Sequence, residues 1–368
     1  MQIPFLDIKS HYLSIKDEID EAIARVFQTG RFVGGIEVKA FEEKFASYHG
    51  LKHCVSTGNG TDSLFAILKM LGVGNGDEVI TPAWSWISTS ETVSATGAKP
   101  IFSDADLETF NISIQDVERK ISTKTKVVMA VHLYGQCCNM ESLQKLCAQN
   151  NLILMEDCAQ AHGAKRNSQQ AGTFGLASSF SFYPTKNMGA FGDAGCMLTN
   201  DDELAIKLRR FVNHGGLTKD EHVMEGTNSR MDALQAAILQ VKLKYLNSWN
   251  EKRIGIANRY RERLGKMESI KLPVSDSGNH HVFHLFVIRS KKRNELKTFL
   301  DSKGVGTMIH YPCALPFEPA YSRFNFQQKD FPVAAQLQNE VLSLPCYPEM
   351  TEDMVDYICN CIQEFSNR

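Results

Sequence analysis

The stretch that decides the fold of this chain is Ser179-Phe180-Ser181-Phe182-Tyr183-Pro184-Thr185-Lys186-Asn187-Met188-Gly189-Ala190. It is an aromatic, strand-like run followed by one lysine, with hydroxyl groups before the lysine and glycine after it. Desolvation lowers the pKa of a lysine amine, and the free amine attacks an aldehyde to form an imine. Proteins attach pyridoxal phosphate in this way. Lys186 therefore predicts such a site, provided that other residues supply a phosphate cradle, a carboxylate for the ring nitrogen and a surface for the ring face.

The candidate carboxylate ends an apolar run, Ile153-Leu154-Met155-Glu156-Asp157-Cys158-Ala159-Gln160. Side chains alternate between the two faces of a strand, so Glu156 and Asp157 should point in opposite directions. One of them can then face the crevice at the carboxyl end of the sheet, where open α/β sheets bind ligands. The alternative is that Asp157 caps the next helix. The motif taken alone does not decide between the two.

The candidate phosphate cradle is Ser56-Thr57-Gly58-Asn59-Gly60-Thr61-Asp62-Ser63, which follows a short apolar run and opens a helix. Glycine lets the backbone approach an anion, and the free N–H groups of a helix start attract negative charge. The hydroxyl of Ser181 is a further candidate ligand. The alternative is an ordinary turn in which Thr61 or Asp62 is the N-cap.

The candidate surface for the ring is Pro82-Ala83-Trp84-Ser85-Trp86-Ile87, which holds two of the three tryptophans of the chain. On an extended segment, Trp84 and Trp86 share one face, and one of them could stack on a flat ring. The alternative is that both pack in the core.

Helical patterns alternate with short apolar runs along the chain, which predicts an α/β fold with a mostly parallel mixed sheet flanked by helices. We expect a large domain over residues 1–245, including an N-terminal arm, and a smaller α+β domain over residues 246–368. A long helical pattern from Asp232 to Arg263 connects the two. The expected strands are 78–81, 100–102, 126–131, 152–156, 178–182 and 195–199, with 282–288 in the small domain.

Composition excludes several classes of protein. The 368 residues are 43% hydrophobic and 22% charged, and the net charge of −2 argues against a nucleic-acid partner. No apolar run approaches the length that spans a membrane. The ten cysteines are scattered without the spacing of a metal site, and residues 1–7 lack the charged and apolar regions expected of a signal peptide. We therefore expect a cytoplasmic protein with reduced thiols and no metal.

Taken together, these motifs resemble the DegT/DnrJ/EryC1/StrS sugar aminotransferases, which have the aspartate-aminotransferase fold (fold type I of pyridoxal-phosphate enzymes). The resemblance covers essentially the whole chain. Besides the segments quoted above, it rests on Pro4-Phe5-Leu6-Asp7, Gly30-Arg31-Phe32-Val33-Gly34-Gly35, Asp77 to Pro82, Ala161-His162-Gly163, Gly226 to Asp232, Gln235-Ala236-Ala237 and His310-Tyr311-Pro312.

The resemblance implies a role for each matching residue. Lys186 would bind the cofactor and move the proton between cofactor and substrate carbon. The residues implied to hold the cofactor are Asp157 at the ring nitrogen, Gln160 at the ring hydroxyl, Trp86 on the ring face and Gly60, Thr61 and Ser181 at the phosphate. Asn228 would reach the phosphate in a neighbouring subunit, which implies a homodimer with shared sites. His310 and Tyr311 would line the sugar pocket.

The resemblance also implies the reaction. L-Glutamate would donate its amino group to a nucleotide-linked keto sugar, for amino-sugar or surface-polysaccharide biosynthesis. The residues from Lys186 to Gly195 are more similar to members that aminate C3 of a dTDP- or UDP-linked hexose than to those that act at C4, which remains the alternative. A sugar dehydratase of the same fold carries histidine in place of the lysine. A dinucleotide-binding oxidoreductase needs a third glycine after Gly58 and Gly60, and a non-enzymatic regulator would lack Lys186 or Asp157.

Overall fold

A seven-stranded sheet organises the protein, whose computed structural model describes residues 1–367. The strands are β1 His53–Thr57, β2 Glu78–Pro82, β3 Lys99–Ser103, β4 Thr125–Val131, β5 Ile153–Asp157, β6 Lys165–Arg166, β7 Gln169–Gln170, β8 Ala177–Ser181, β9 Gly195–Thr199, β10 Asn279–His280, β11 Phe286–Arg289 and β12 Val341–Leu344. The order in the sheet is β1-β9-β8-β5-β4-β2-β3. Strand β9 runs antiparallel to both neighbours and the other pairs are parallel, so the predicted mostly parallel mixed sheet is confirmed.

Thirteen α-helices are present in the described residues. They are α1 Ile8–Leu13, α2 Lys16–Thr29, α3 Gly35–His49, α4 Gly60–Met70, α5 Ser88–Ala95, α6 Ile114–Lys120, α7 Met140–Gln149, α8 Asp202–Phe211, α9 Ala233–Leu243, α10 Leu246–Leu264, α11 Arg293–Ser302, α12 Pro332–Glu340 and α13 Glu352–Ser366. None of these helices has the length and apolar character needed to cross a bilayer. The helical pattern expected from Asp232 to Arg263 is divided into α9 and α10 at Lys244 and Tyr245.

Both faces of the sheet are buried, as the continuous apolar runs indicate. On β4, Val127 and Met129 pack in one apolar cluster with α4 and α8. Val128 and Ala130, which alternate with them, pack in a second cluster with α7. The strand ends are therefore the places where polar groups of the sheet can meet a ligand.

The C-terminal part of the chain has its own small sheet and core. Strand β11 pairs antiparallel with β12, and helices α10, α11 and α13 pack around this pair. The strand expected over residues 282–288 is shorter, because residues 282–285 are irregular and only Phe286–Arg289 pairs with a neighbour.

The N-terminal arm, placed in the predicted large domain, contacts this C-terminal part. Ile3 is buried in its apolar cluster and forms a parallel bridge with Val305. The Ile3 N–H donates to the carbonyl of Gly304 at 2.9 Å, and its carbonyl accepts from the Gly306 N–H at 2.8 Å. The domain boundary at residue 245 therefore stays a prediction. The N-terminal arm, which that prediction assigns to the large domain, packs on the C-terminal part.

Candidate active site

Lys186 lies in a turn just beyond the carboxyl end of β8, as the opening motif predicts. Its backbone N–H donates to the carbonyl of Tyr183 at 2.9 Å, and the Ala190 N–H closes the loop onto the carbonyl of Phe182 at 2.7 Å. Burial lowers the pKa of the Lys186 amine to about 8, against a smaller opposing effect of Asp157. At neutral pH the unprotonated, nucleophilic share of this amine is therefore much larger than that of an ordinary exposed lysine.

Asp157 ends β5, beside Ser179 of β8, and is 5% exposed. Its Oδ1 accepts from the Ala159 N–H at 3.0 Å, and its Oδ2 faces the Thr89 hydroxyl at 3.5 Å. Burial raises the pKa of this carboxyl, while the Ala159 N–H and the positive charge of Lys186 act in the opposite direction. Residues 159–160 after β5 form a turn, so Asp157 caps this turn and no helix begins there. A carboxylate held in this way can pair with a protonated ring nitrogen.

Glu156 points to the opposite face of β5, which confirms the predicted alternation. It is fully buried. Its four hydrogen bonds come from the N–H groups of Gly172 (2.8 Å), Phe174 (2.7 Å) and Gly175 (2.7 Å) and from Nε2 of His132 (2.8 Å). A group that could suit a metal ion also lies here, because one possible ligand atom from each of His132, Glu156 and Cys158 lies within 4.8 Å of the other two. Because the Glu156 oxygens are already occupied by these donors, the group is a structural anchor for the end of β5.

The predicted phosphate ligands meet at the start of α4. The N-cap is Asn59, whose side chain accepts from the Asp62 N–H at 2.8 Å, so the alternative with Thr61 or Asp62 as N-cap is wrong. A Cβ at Gly60 would lie 2.6 Å from Cβ of Ser181, so only glycine lets the helix start approach β8 this closely. In residues 1–367, no hydrogen bond involves the N–H of Gly60 or Thr61. Two free N–H groups beside the Ser181 hydroxyl fit a phosphate group.

The two tryptophans differ in burial. Trp84 is 1% exposed and donates from Nε1 to the hydroxyl of Tyr134 at 2.8 Å, whereas Trp86 is 58% exposed. The segment is not extended as predicted, because residues 83–85 form a bend. Both rings nevertheless lie near that of Tyr311, at 6.2 Å for Trp84 and 5.9 Å for Trp86. Trp86 remains free to cover a ring.

Gln160 is hydrogen-bonded to Tyr311, and Tyr134 links this pair to the backbone carbonyl of His310. The side-chain carbonyl of Gln160 accepts from the Tyr134 N–H at 2.7 Å, and its amide donates to the Tyr311 hydroxyl at 3.0 Å. Nδ1 of His310 bonds the Ser343 hydroxyl at 2.8 Å. Burial, and then the charge of Lys186, lowers the pKa of His310 to about 4, so this ring is neutral at pH 7.

Asn228 is exposed, and the structure does not bring it into contact with the other predicted residues. The neighbouring Ser229 donates to Oδ2 of Asp62 at 2.7 Å and accepts from the Gly58 N–H at 3.1 Å. Asn228 therefore lies on the surface next to the candidate phosphate turn.

Three buried residues near Lys186 were missed by the sequence analysis. The pKa of His162 is lowered to about 3, and that of His284 well below its usual value; in both cases burial is the main cause and the charge of Lys186 comes next. Lys242 donates from Nζ to the carbonyl of Gly189 at 2.6 Å, and burial lowers its pKa to about 7. A lysine on the apolar helix α9 was the available signal for Lys242.

Comparison with known proteins gives matches along nearly the whole chain. The DegT/DnrJ/EryC1/StrS aminotransferase family matches residues 13–363. The chain is 43% identical to a dTDP-3-amino-3,6-dideoxy-alpha-D-galactopyranose transaminase of Aneurinibacillus thermoaerophilus, with 99% of each chain covered. It is 41% identical to a pleiotropic regulatory protein of Geobacillus stearothermophilus, again with 99% of each chain covered. The crystal structure of S. venezuelae DesV is similar with a TM-score of 0.98 at 38% identity, covering 100% of this chain and 99% of that one.

The match along nearly the whole chain, together with the fold, shows the class of enzyme and its cofactor. The protein is an aminotransferase that depends on pyridoxal phosphate, as the opening motif predicts. The chain belongs to the DegT/DnrJ/EryC1/StrS aminotransferase family.

Proposed function

We propose that this enzyme transfers the amino group of L-glutamate to the C3 keto group of a hexose linked to dTDP or UDP. One observation carries the proposal. Lys186, Asp157 and the unbonded N–H groups at the start of α4 lie together at the carboxyl end of one sheet. The relative from Aneurinibacillus is named for a dTDP-linked 3-amino sugar, which supports both the nucleotide sugar and the position C3.

In this proposal each residue has one task toward the cofactor. Pyridoxal phosphate supplies the electron sink that stabilises charge on the substrate carbon. Lys186 would hold it through its amine and would also move the proton, a second task that suits an amine with a pKa of about 8. The residues that hold it are Asp157 at the ring nitrogen, Gln160 at the ring hydroxyl, Trp86 on the ring face and Gly60, Thr61 and Ser181 at the phosphate.

His310 and Tyr311 are the proposed sugar contacts. His310 is neutral and fixed through Nδ1 to Ser343, so its other ring nitrogen can bond a sugar hydroxyl. Tyr311 is fixed by Gln160 and lies beside the exposed ring of Trp86. The sugar would therefore enter along the side of the cofactor that Trp86 covers.

The second proposed partner is another copy of this chain. Four large apolar side chains around the end of α2 and the start of α3 are exposed: Phe27 (61%), Phe32 (42%), Val33 (50%) and Ile36 (72%). Such a patch is unusual on a monomer and fits a symmetric interface. The exposed Asn228 would then reach the phosphate in the partner's site.

We also propose a cytoplasmic location and a role in amino-sugar or surface-polysaccharide biosynthesis. All ten cysteines are free thiols in the structure, which agrees with a reducing compartment. Nucleotide sugars are the activated donors that such synthesis requires, and this enzyme would supply the aminated form.

The test is a two-stage assay. The purified protein, incubated with L-glutamate labelled with ¹⁵N, should change its visible absorbance and then pass the label to a 3-keto nucleotide sugar in preference to a 4-keto one. Nuclear magnetic resonance of the product locates the nitrogen. Label passed only to the 4-keto sugar, at C4, would favour the C4 alternative, and loss of water without label would favour a dehydratase. A protein that stays colourless with added pyridoxal phosphate would contradict the proposal.

A further inference from the structure

A chain of buried hydrogen bonds starts at the residue that follows Lys186. Asn187 is 3% exposed and donates from Nδ2 to Oδ1 of Asn250 at 2.9 Å and to the carbonyl of Val282 at 3.2 Å. Nδ2 of Asn250 in turn donates to the carbonyl of His162 at 2.8 Å. The other end of the chain is His284, whose Nδ1 lies 3.0 Å from Oδ1 of Asn187.

These contacts fix where every proton lies. The Val282 carbonyl can only accept, so the amide nitrogen of Asn187 must face it and the amide oxygen must face His284. That oxygen is an acceptor, so Nδ1 of His284 must carry the hydrogen. Burial and the charge of Lys186 hold the pKa of His284 well below its usual value, so the second ring nitrogen is unprotonated. His284 is therefore a neutral ring with one defined tautomer.

The chain of hydrogen bonds joins separate parts of the structure to the loop that holds Lys186. His284 lies in the segment that leads to β11, Asn250 is on α10, and His162 follows β5. Each member of the chain is at least nine-tenths buried. A side chain clamped from three directions leaves little freedom to the backbone of the neighbouring Lys186.

We propose that His284 is a positioning residue for Lys186: its Nδ1–H, through Asn187, orients the loop so that the lysine amine faces the cofactor aldehyde. This inference rests on the proposed role of Lys186. Reaction rates fall steeply when a reacting group is displaced by a fraction of its contact distance, so a looser loop should slow attack by the amine.

The test separates the two ring nitrogens of His284. The amide nitrogen of asparagine occupies the position of Nδ1, whereas that of glutamine reaches the position of Nε2. In His284→Asn the bond to Asn187 can re-form; in His284→Gln and His284→Leu it cannot. All three variants are compared with the wild type as apoproteins.

The readout is the rate at which each apoprotein forms a coloured adduct with pyridoxal, which lacks the phosphate and so does not depend on the start of α4. We expect His284→Leu and His284→Gln to slow adduct formation by about fivefold or more, the value of one lost hydrogen bond. His284→Asn should retain the rate to within about twofold. Thermal unfolding of each apoprotein shows separately whether it is folded. If the leucine variant does not fold, the inference is tested by comparing the rates of the asparagine and glutamine variants.

Two results would overturn the inference. A leucine variant that reacts at the wild-type rate would do so, as would an asparagine variant no faster than the glutamine variant. Borohydride trapping and peptide mapping identify the lysine that reacts. If the wild-type adduct lies on Lys242 instead of Lys186, the proposed role of Lys186 is itself wrong, whatever the His284 variants do.

Discussion

Replacing Gly60 with alanine should weaken the binding of pyridoxal phosphate, because there is no room for a methyl group between α4 and β8. The added Cβ would lie 2.6 Å from Cβ and 3.1 Å from Cα of Ser181. Carbon atoms in contact are about 3.5–4.0 Å apart, so the helix start must retreat by roughly 1 Å. Overpacking of this kind costs about 1–3 kcal/mol of folding stability. Alanine in place of a helical glycine would otherwise stabilise the protein by about 0.5–1 kcal/mol.

The same displacement separates the N–H groups of Gly60 and Thr61 from the Ser181 hydroxyl. A hydrogen bond to a charged group contributes about 1.5–3 kcal/mol. Losing one such bond to the phosphate should raise the Kd by about 10- to 100-fold. Pyridoxal makes no phosphate contact, so its Kd should change little.

The assay is titration of the apoprotein with pyridoxal phosphate and with pyridoxal, followed by absorbance. Gly58→Ala is the matched control in the same turn, since its Cβ would meet nothing closer than Oγ of Ser229 at 3.5 Å, an ordinary contact. The reasoning fails if Gly60→Ala binds pyridoxal phosphate as tightly as the wild type. It also fails if the variant loses affinity for pyridoxal to the same degree.

Three further predictions concern other parts of the site. The rate at which the apoprotein reacts with pyridoxal should rise with pH through about pH 8, where Lys186 loses its proton, and Asp157→Asn should move that midpoint to lower pH because the carboxylate favours the ammonium form. Stopped-flow absorbance measures the rate of both proteins across the pH range, and an unchanged midpoint would contradict the interaction of Asp157 with Lys186. Mixed subunits of Lys186→Ala and Asn228→Leu should regain activity after joint refolding if Asn228 acts across the dimer, because one site of each hybrid is then intact; activity that stays absent would place Asn228 in its own subunit's site. Glu156→Gln should lower the free energy of unfolding by about 2–4 kcal/mol in denaturant titration, since an amide nitrogen would face buried N–H donors. Glu43→Gln is the control: Glu43 forms an exposed ion pair with Lys39 at an N···O distance of 3.8 Å, and its replacement should change the free energy of unfolding by less than about 0.5 kcal/mol.

The fold could be predicted from the sequence because parallel strands covered on both faces are continuous apolar runs. The predicted runs at 78–81, 126–131 and 195–199 became β2, β4 and β9 with small changes at their ends. Boundaries were less predictable where tertiary contacts decide them. Residues 282–285 are mostly apolar, but Val282, Phe283 and Leu285 pack in three different apolar clusters and the segment joins no sheet.

The candidate site was predictable where its chemistry is local, as in the turn that holds Lys186 or the pair Glu156 and Asp157. One expectation failed where the backbone bends: residues 83–85 are not extended, and Trp84 is buried while Trp86 is exposed. Contacts between distant segments were beyond the reach of sequence patterns. The bond between Asn187 and His284 joins residues 97 positions apart, and no spacing rule predicts it.

The pairing of Ile3 with Val305 has a consequence for the order in which the protein folds. During synthesis, the segment around Val305 becomes available to pair with Ile3 only after roughly three hundred further residues have been added. The core around β11 and β12 is thus completed by both ends of the polypeptide, and the closing contact has a large entropic cost. A fragment that starts at residue 246 would leave the apolar site of Ile3 empty. The C-terminal part is therefore better regarded as the final closure of one cooperative chain than as a module that could be cut away.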